Sequence, residues 1–310
     1  MKTINIPRID IAPIMDSNTS KRLREKTVQE IFSALEQTGF MTITNHGITN
    51  NQMKKVFWTY KDFFDKPLEE KMLVHINDTF RGFVPLMWEQ VNPNKNPDYK
   101  ECYDSMLELP EDDIDVRNNI GLYGPNQWPT DMPHMKQIVN DYYENACNIG
   151  SEVLEAVAEV LQVPGFFRDK FTKPAAMLRA NYYPPRPENA TQQDFGIAAH
   201  TDYGCLTILA QDWVGGLEVK TKDAQWIPVE PQNSDIVINV WEVLQKFTSG
   251  KLRATPHRVR WSSTERMSLP LFYNPNYDTP LISIWVDKKD KNTLTTGEYI
   301  EGRYNSTYKK

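Results

Sequence analysis

No apolar run in this 310-residue chain approaches the ~20 residues that a membrane-spanning helix needs, so no membrane partner is expected. The opening stretch MKTINIPRIDIAPI has neither a continuous apolar segment nor a small-residue cleavage site, and no secretory signal is read there. Cysteine is scarce: Cys102, Cys147 and Cys205 are odd in number and lack zinc-knuckle spacing. That excludes a disulfide framework and predicts a reducing, cytoplasmic setting. Positive charge is in deficit, with 35 Lys and Arg against 41 Asp and Glu, a net −6 that argues against a nucleic-acid partner. Histidine is scarce too, with five in the chain. What is present is an ordinary globular composition, 40% hydrophobic and 25% charged, in a chain long enough for one sizeable core. A monomer acting on a small molecule is the expectation.

Along the chain the pattern changes character once. Residues 21–38 and 50–64 carry apolar positions at helical spacing, separated by GFMTITNHGI, which alternates as a strand and ends in a His-Gly turn. Residues 78–133 are irregular and rich in Pro, Asn and Asp. The clearest helix spans 135–161, with Ile138, Tyr142, Ile149, Val153, Val157 and Leu161 as its stripe. After Pro164-Gly165 come short β-runs punctuated by Gly, Pro, Asn and Asp, the mark of a sandwich or barrel, here a jelly roll. The expected fold class is therefore mixed α+β. A helical and mixed region (1–120) and a long helix with its connection (121–170) precede a jelly-roll core (171–285) and a C-terminal tail (286–310). All four form one folding unit.

Within the β-region, AAHTDYGCLTIL (198–209) sets His200 and Asp202 two residues apart on an alternating run, which predicts both on one face of one strand. Inward polar groups are costly to bury unless something binds them, and a metal ion meets that need. His257, opening the run HRVRW after a proline, can return on a neighbouring strand and add a second imidazole. Two histidines and a carboxylate suit non-haem Fe(II), leaving three positions open. Catalytic zinc on the same ligands is the rival, without its usual HExxH signature. His46, in its turn, reads as a structural hydrogen-bonding residue, and His75 and His134 as surface residues. In ERMSLPLF, Arg266 and Ser268 share a strand face, a fork and a hydroxyl suited to holding a carboxylate.

These residues, with GFMTITNHGI, PDYKECYD, NYYPP, HTDYGCLTILAQD, GGLEV, ATPHRV and RMSLPLFYNP in order over nearly the whole length, resemble the isopenicillin N synthase-like family of iron(II)/2-oxoglutarate-dependent dioxygenases. The resemblance implies a distorted double-stranded β-helix. It carries over His200, Asp202 and His257 as iron ligands, and Arg266 and Ser268 as the anchor for the far carboxylate of 2-oxoglutarate. Asn181 and Tyr183, from NYYPP, match positions that help hold that cosubstrate. Fe(II), 2-oxoglutarate and O₂ are thus the implied cofactor and cosubstrates. The implied reaction is oxidation of an unactivated C–H bond in specialised metabolism, by hydroxylation, desaturation or ring closure, with release of succinate and CO₂. A 2-oxoglutarate-independent iron oxidase of the same fold stays open, as do a zinc hydrolase and a non-catalytic metal-binding sensor.

Three residues are candidate substrate contacts. Arg179 shares a strand face with Asn181 and Tyr183, and as a second inward cation it predicts a carboxylate on the substrate. The alternative is an internal salt bridge to Glu89 or Glu101. Phe83 belongs to 80–103, the segment expected to shape the pocket. Trp241, in NVWEVLQKF, stands where family members typically have glycine, and either packs in place or narrows the entrance to the iron.

Overall fold

The computed structural model describes residues 5–90, 96–186, 188, 195–232, 234–286 and 293–307. Its strands are β1 (Arg8–Asp10), β2 (Phe40–Thr44), β3 (Gly82–Val84), β4 (Glu101–Met106), β5 (Met177–Tyr183) and β6 (Ile197–His200), then β7 (Leu206–Gln211), β8 (Leu217–Lys220), β9 (Trp226–Pro228), β10 (Ile236–Val240), β11 (His257–Val259) and β12 (Arg266–Tyr273). They form two sheets, one of eight strands in the order β1-β2-β10-β7-β12-β5-β4-β3 and one of four in the order β6-β11-β8-β9. Among these strands only β1 and β2 pair in parallel. The two sheets make the jelly roll, and the N-terminal strands β1 to β4 extend its larger sheet.

Register explains why one face of the large sheet is polar and the other apolar. Side chains paired across antiparallel strands share a face. Asn239 pairs with Thr207, and Thr207 with Phe272. Gln211 pairs with Ser268, Ser268 with Asn181, and Asn181 with Cys102. Arg266 pairs with Tyr183, and Arg179 with Asp104. All of these lie on the concave side. The intervening residues Leu206, Ile208, Ala210, Leu269, Leu271, Leu178 and Ala180 are buried on the other side, against the helices. A large apolar side chain of this kind contributes about 1.5–3 kcal/mol when removed from water. Pro270 sits in the central strand β12 without breaking it. The pairing with β5 runs from Arg266↔Tyr183 to Ser268↔Asn181 and resumes at Leu271↔Leu178, the interruption falling where proline has no N–H to give.

The helical layer forms as its periodicity predicts. Lys21–Thr38 buries Val28, Ile31, Phe32 and Leu35. Asn50–Phe64 starts at a capping box in which Thr49 and Gln52 satisfy each other's backbone N–H groups. Met135–Val160 buries Ile149, Val153 and Val157 against the sheet. A Cβ at Gly150 in this helix would lie 2.6 Å from the Tyr273 ring, so glycine is what allows the helix to approach β12 so closely. The C-terminal stretch, expected as a tail, holds a helix at Thr296–Thr307.

The expected single strand over 198–209 is instead two strands in different sheets. β6 ends at His200, residues 201–205 turn, and β7 begins at Leu206. Asp202 therefore reaches the site from a turn, not from the strand face that alternation implied. Tyr203 and Gly204 form the crossing, and alternation cannot register a change of sheet.

Candidate metal and cosubstrate site

At the end of β6, His200 faces His257 at the start of β11 as direct antiparallel partners, their ring centroids 4.3 Å apart. His200 Nε2 lies 3.3 Å from Asp202 Oδ1, and His257 Nε2 lies 3.4 Å from Asp202 Oδ2. One ligand atom from each of the three residues falls within 4.8 Å of the others, a group that could hold a metal ion. The far ring nitrogens are already engaged. His200 Nδ1 is 2.7 Å from the Ala198 carbonyl, and His257 Nδ1 is 3.4 Å from that of Thr255. This directs the Nδ1 proton to a carbonyl and leaves the Nε2 lone pair for a metal. Phe40 packs edge-on to His257 at 5.5 Å.

The carboxylate is positioned by two residues that the sequence reading missed. Asn239 Nδ2 donates to Asp202 Oδ2 at 3.0 Å, and Thr207 Oγ1 donates to the same oxygen at 3.2 Å. Asn239 had a signal: it is the one polar residue in the otherwise apolar strand IVINV. Burial acts on all three side chains. It drives His257 down to about 4, helped by His200 and opposed by Asp202. Burial opposes charge on His200 as well, but the bond and charge of Asp202 outweigh it and raise this imidazole. Asp202 is pushed up by burial and held down overall by His257, His200 and Asn239, so it stays an anion. The set offers two imidazoles and one carboxylate, donors that suit Fe(II).

Across the cavity, Arg266 is 2% exposed. Its Nε donates to the Gly215 carbonyl and its Nη2 to Gln211 Oε1 at 3.2 Å, while Nη1 is buried with no hydrogen-bond partner among the described residues. The guanidinium lies 5.0 Å over the Tyr183 ring. Ser268 Oγ accepts from Asn181 Nδ2 at 3.4 Å. An orphaned donor on a buried cation is costly, and a carboxylate is the group that would complete it. Arg266, Ser268, Asn181 and Tyr183 all line the same cavity as His200, Asp202 and His257. The cavity spans about 950 Å³ of space including its solvent-open mouth.

The expected substrate contacts fare differently. Arg179 lines the cavity, but it already has its anions. Its Nε and Nη2 grip both oxygens of Asp104 at 2.7 Å, and its Nη1 reaches Glu89 Oε2 at 2.9 Å. Lys100 pairs with the same Glu89 oxygen. The inference from Arg179 to a substrate carboxylate therefore loses its ground. Glu89 was the correct partner, Asp104 was overlooked, and Glu101 pairs with Lys71 instead, at 2.7 Å. Phe83 is corrected outright: it is fully buried in the core, edge-on to Phe63 at 5.8 Å, and is not part of the cavity wall. Of the segment 80–103, Glu89 and Lys100 reach the cavity, while 91–95 lie outside the described residues. Trp241 does line the cavity, packed on Phe272 with ring centroids 4.8 Å apart. Tyr304, from the C-terminal helix, joins that wall unforeseen. His46 is structural as expected, with Nε2 2.8 Å from the Ser234 carbonyl. His134 is exposed, but His75 is half-buried against Trp88 at 5.3 Å.

Among the described residues no helix is long and apolar enough to cross a membrane. Residues 6–131 match the family described as non-haem dioxygenase in morphine synthesis N-terminal, and residues 174–275 match the 2OG-Fe(II) oxygenase superfamily. A 2-oxoglutarate-dependent dioxygenase of Didymella fabae is 32% identical over 98% of this chain and 97% of its own length. The crystal structure of a full-length Neurospora crassa protein in complex with alpha-KG superposes with a TM-score of 0.85 at 25% identity, covering 97% of this chain and 96% of that one. The same Neurospora protein with alpha-KG and 5-formyluracil gives 0.83 at 25% identity and the same coverage. Family, fold and donor set agree, and the chain belongs to the Fe(II)- and 2-oxoglutarate-dependent dioxygenases, a family of oxidoreductases.

Proposed function

We propose that this dioxygenase oxidises an unactivated C–H bond of a small molecule of specialised metabolism, with His200, Asp202 and His257 holding the iron. Arg266 and Ser268 would anchor the far carboxylate of 2-oxoglutarate, with Asn181 and Tyr183 closing around it. The observation that carries the assignment is the buried Arg266 Nη1 without a partner among the described residues, on a side chain that lines the same cavity as Ser268 and the triad. Iron and 2-oxoglutarate, when bound, supply oxidation coupled to release of succinate and CO₂.

The chain's own residues do the rest. Asn239 and Thr207 both donate to Oδ2 of Asp202 and so fix the orientation of its carboxylate. The Ala198 carbonyl sets the His200 tautomer. Burial raises the Tyr183 phenol, so this side chain remains a neutral donor at physiological pH. Leu209, Leu217, Val259 and Phe40 line the cavity and exclude water from the reacting centre. The relatives' dependence on 2-oxoglutarate favours this reading over an iron oxidase without a cosubstrate, and the 5-formyluracil complex of the Neurospora protein supports a small-molecule substrate.

The test is succinate formation from 2-oxoglutarate by purified protein, with and without Fe(II). Succinate that depends on both, and on Arg266, supports the proposal. Metal-dependent hydrolysis without 2-oxoglutarate would return the zinc hydrolase, and binding without any O₂ consumption would return the sensor.

A further inference from the structure

We infer that the substrate of this site is an uncharged, flat molecule whose hydrogen-bond acceptor takes the indole N–H of Trp241. The inference rests on the dioxygenase reading above and deepens it.

Charge comes first. The cationic side chains of the cavity wall are Lys100, Arg179 and Arg266. Arg266 is committed to the cosubstrate. Arg179 is matched by Asp104 and Glu89, and Lys100 by Glu89. Arg303, on the C-terminal helix, is stacked at 3.8 Å on Tyr203 and is not part of the wall. With Asp202 on the metal, the substrate chamber holds no surplus cation among the described residues. A substrate carboxylate would there face the acids of the network rather than a free partner, and burying an unpaired anion is costly.

Shape comes second. Trp241, Phe272, Tyr203 and Tyr304 all contribute to the wall, with Trp241 tilted 54° onto Phe272. Aromatic plates favour a flat partner by stacked or edge contact. The backbone does not resist the large side chain. Trp241 sits at φ −120° and ψ 177°, extended conformation that any residue adopts. The turn also makes room for it: a Cβ at Gly204 would lie 2.8 Å from Trp241 Cε3 and closer still to Asn274 Oδ1.

The polar handle comes third. Trp241 is 4% exposed, and its Nε1 has no hydrogen-bond partner among the described residues. A buried indole N–H ordinarily finds an acceptor. A carbonyl oxygen on a flat substrate is the acceptor this cavity can admit.

The experiment uses a matched set on one skeleton: coumarin, coumarin-3-carboxylate, and 2H-chromene, which lacks the carbonyl. Each is equilibrated anaerobically by dialysis against full-length protein loaded with Fe(II) and 2-oxoglutarate. Coumarin is expected to bind, with the acid and the chromene each at least about 5-fold weaker, the loss expected of one hydrogen bond or more. Trp241→Phe keeps an aromatic plate but removes the N–H. It should weaken coumarin about 5- to 30-fold while sparing 2-oxoglutarate. Failure of coumarin to bind overturns the inference. So does an acid or a chromene that binds as tightly, or a Trp241→Phe protein with unchanged coumarin affinity. The chromene comparison needs only the wild-type protein, so a variant that fails to fold does not shield the idea. Succinate release in the same samples, once O₂ is admitted, separates the two readings. If it persists while coumarin and its acid bind equally, this inference alone is lost; if wild type shows none, the dioxygenase reading falls and takes the inference with it.

Discussion

Replacing Arg266 by lysine keeps the charge and removes the fork, and the structure says what that should cost. The guanidinium has three nitrogens: Nε donates to the Gly215 carbonyl, Nη2 to Gln211, and Nη1 is buried without a partner among the described residues. A single ammonium has its three donors on one atom and cannot reproduce the spaced, planar fork that reaches the Gly215 carbonyl, Gln211 and a ligand carboxylate. The lost interaction is a charge-assisted hydrogen bond, worth about 1.5–3 kcal/mol, or about 10- to 150-fold in 2-oxoglutarate affinity. Alanine should lose more, because the Gly215 carbonyl and the Gln211 amide then lose the donor that Arg266 gives them. Calorimetric titration of 2-oxoglutarate into the anaerobic Fe(II) protein measures the affinity directly. A urea melt of each variant separates lost binding from lost folding. If Arg266→Lys binds 2-oxoglutarate as wild type does while remaining folded, the anchor lies elsewhere and the assignment of Ser268, Asn181 and Tyr183 goes with it.

Other outcomes follow from the same geometry. His200→Ala, Asp202→Ala and His257→Ala should each abolish iron retention after desalting in a folded protein, since no other histidine among the described residues lines the cavity; metal analysis checks this, and a variant that keeps stoichiometric iron refutes the triad. Asn239→Ala should weaken iron about 10- to 100-fold without removing any ligand, as expected for a residue that orients one; competition with a chelator reads it. Arg179→Ala should destabilise the fold by about 3–5 kcal/mol, because it leaves Asp104 buried without its bidentate partner; an unchanged urea midpoint would count against the ion network. Glu89 is raised by burial and lowered more by Arg179 and Lys100, to about 2 against 4.5 unfolded. Its contribution is therefore present above pH 4.5 and lost as pH falls toward about 2. Glu89→Gln should accordingly flatten the acid limb of the stability curve over that window, read by urea melts at stepped pH.

Much of the site was legible because its chemistry is written in residue types that rarely occur inside a core. His200, His257, Arg266 and Ser268 could be singled out from two short alternating runs and a third after a proline. The strand register sets His257 opposite His200, and Ser268 opposite Asn181. Period-2 patterning names the face of a strand but not the sheet it joins. That is why Asp202 was placed on a strand when it sits in the turn between sheets. The same blindness affected Arg179. Its decisive neighbour, Asp104, is 75 residues away and becomes adjacent only when β4 pairs with β5. Phe83 shows the converse error, since an aromatic residue in an irregular segment gave no hint that β3 would lay it against Phe63 in the core. The long helices needed no such help. Their stripes are local, and local pattern decides them.

The division of labour between the sheets accounts for how the site is held. Two of the three proposed metal donors, His200 and His257, come from the four-stranded sheet, on neighbouring strands in direct register. The proposed carboxylate anchor comes from the eight-stranded sheet, where β12 is flanked on both sides by β7 and β5. Asp202 lies in the turn between them, and Asn239 and Thr207 of the large sheet bond its carboxylate. The third donor is therefore set by one sheet and directed at the imidazoles of the other. A cosubstrate held both at the proposed metal site and by Arg266 would bridge the two sheets, so the spacing between them bears on its binding. Any change that alters this spacing should disturb metal and cosubstrate binding together, even when it touches neither. Phe40 is such a residue, paired through β2 with Asn239 and packed edge-on to His257. Truncating it leaves every donor in place and removes the ring packed edge-on to His257.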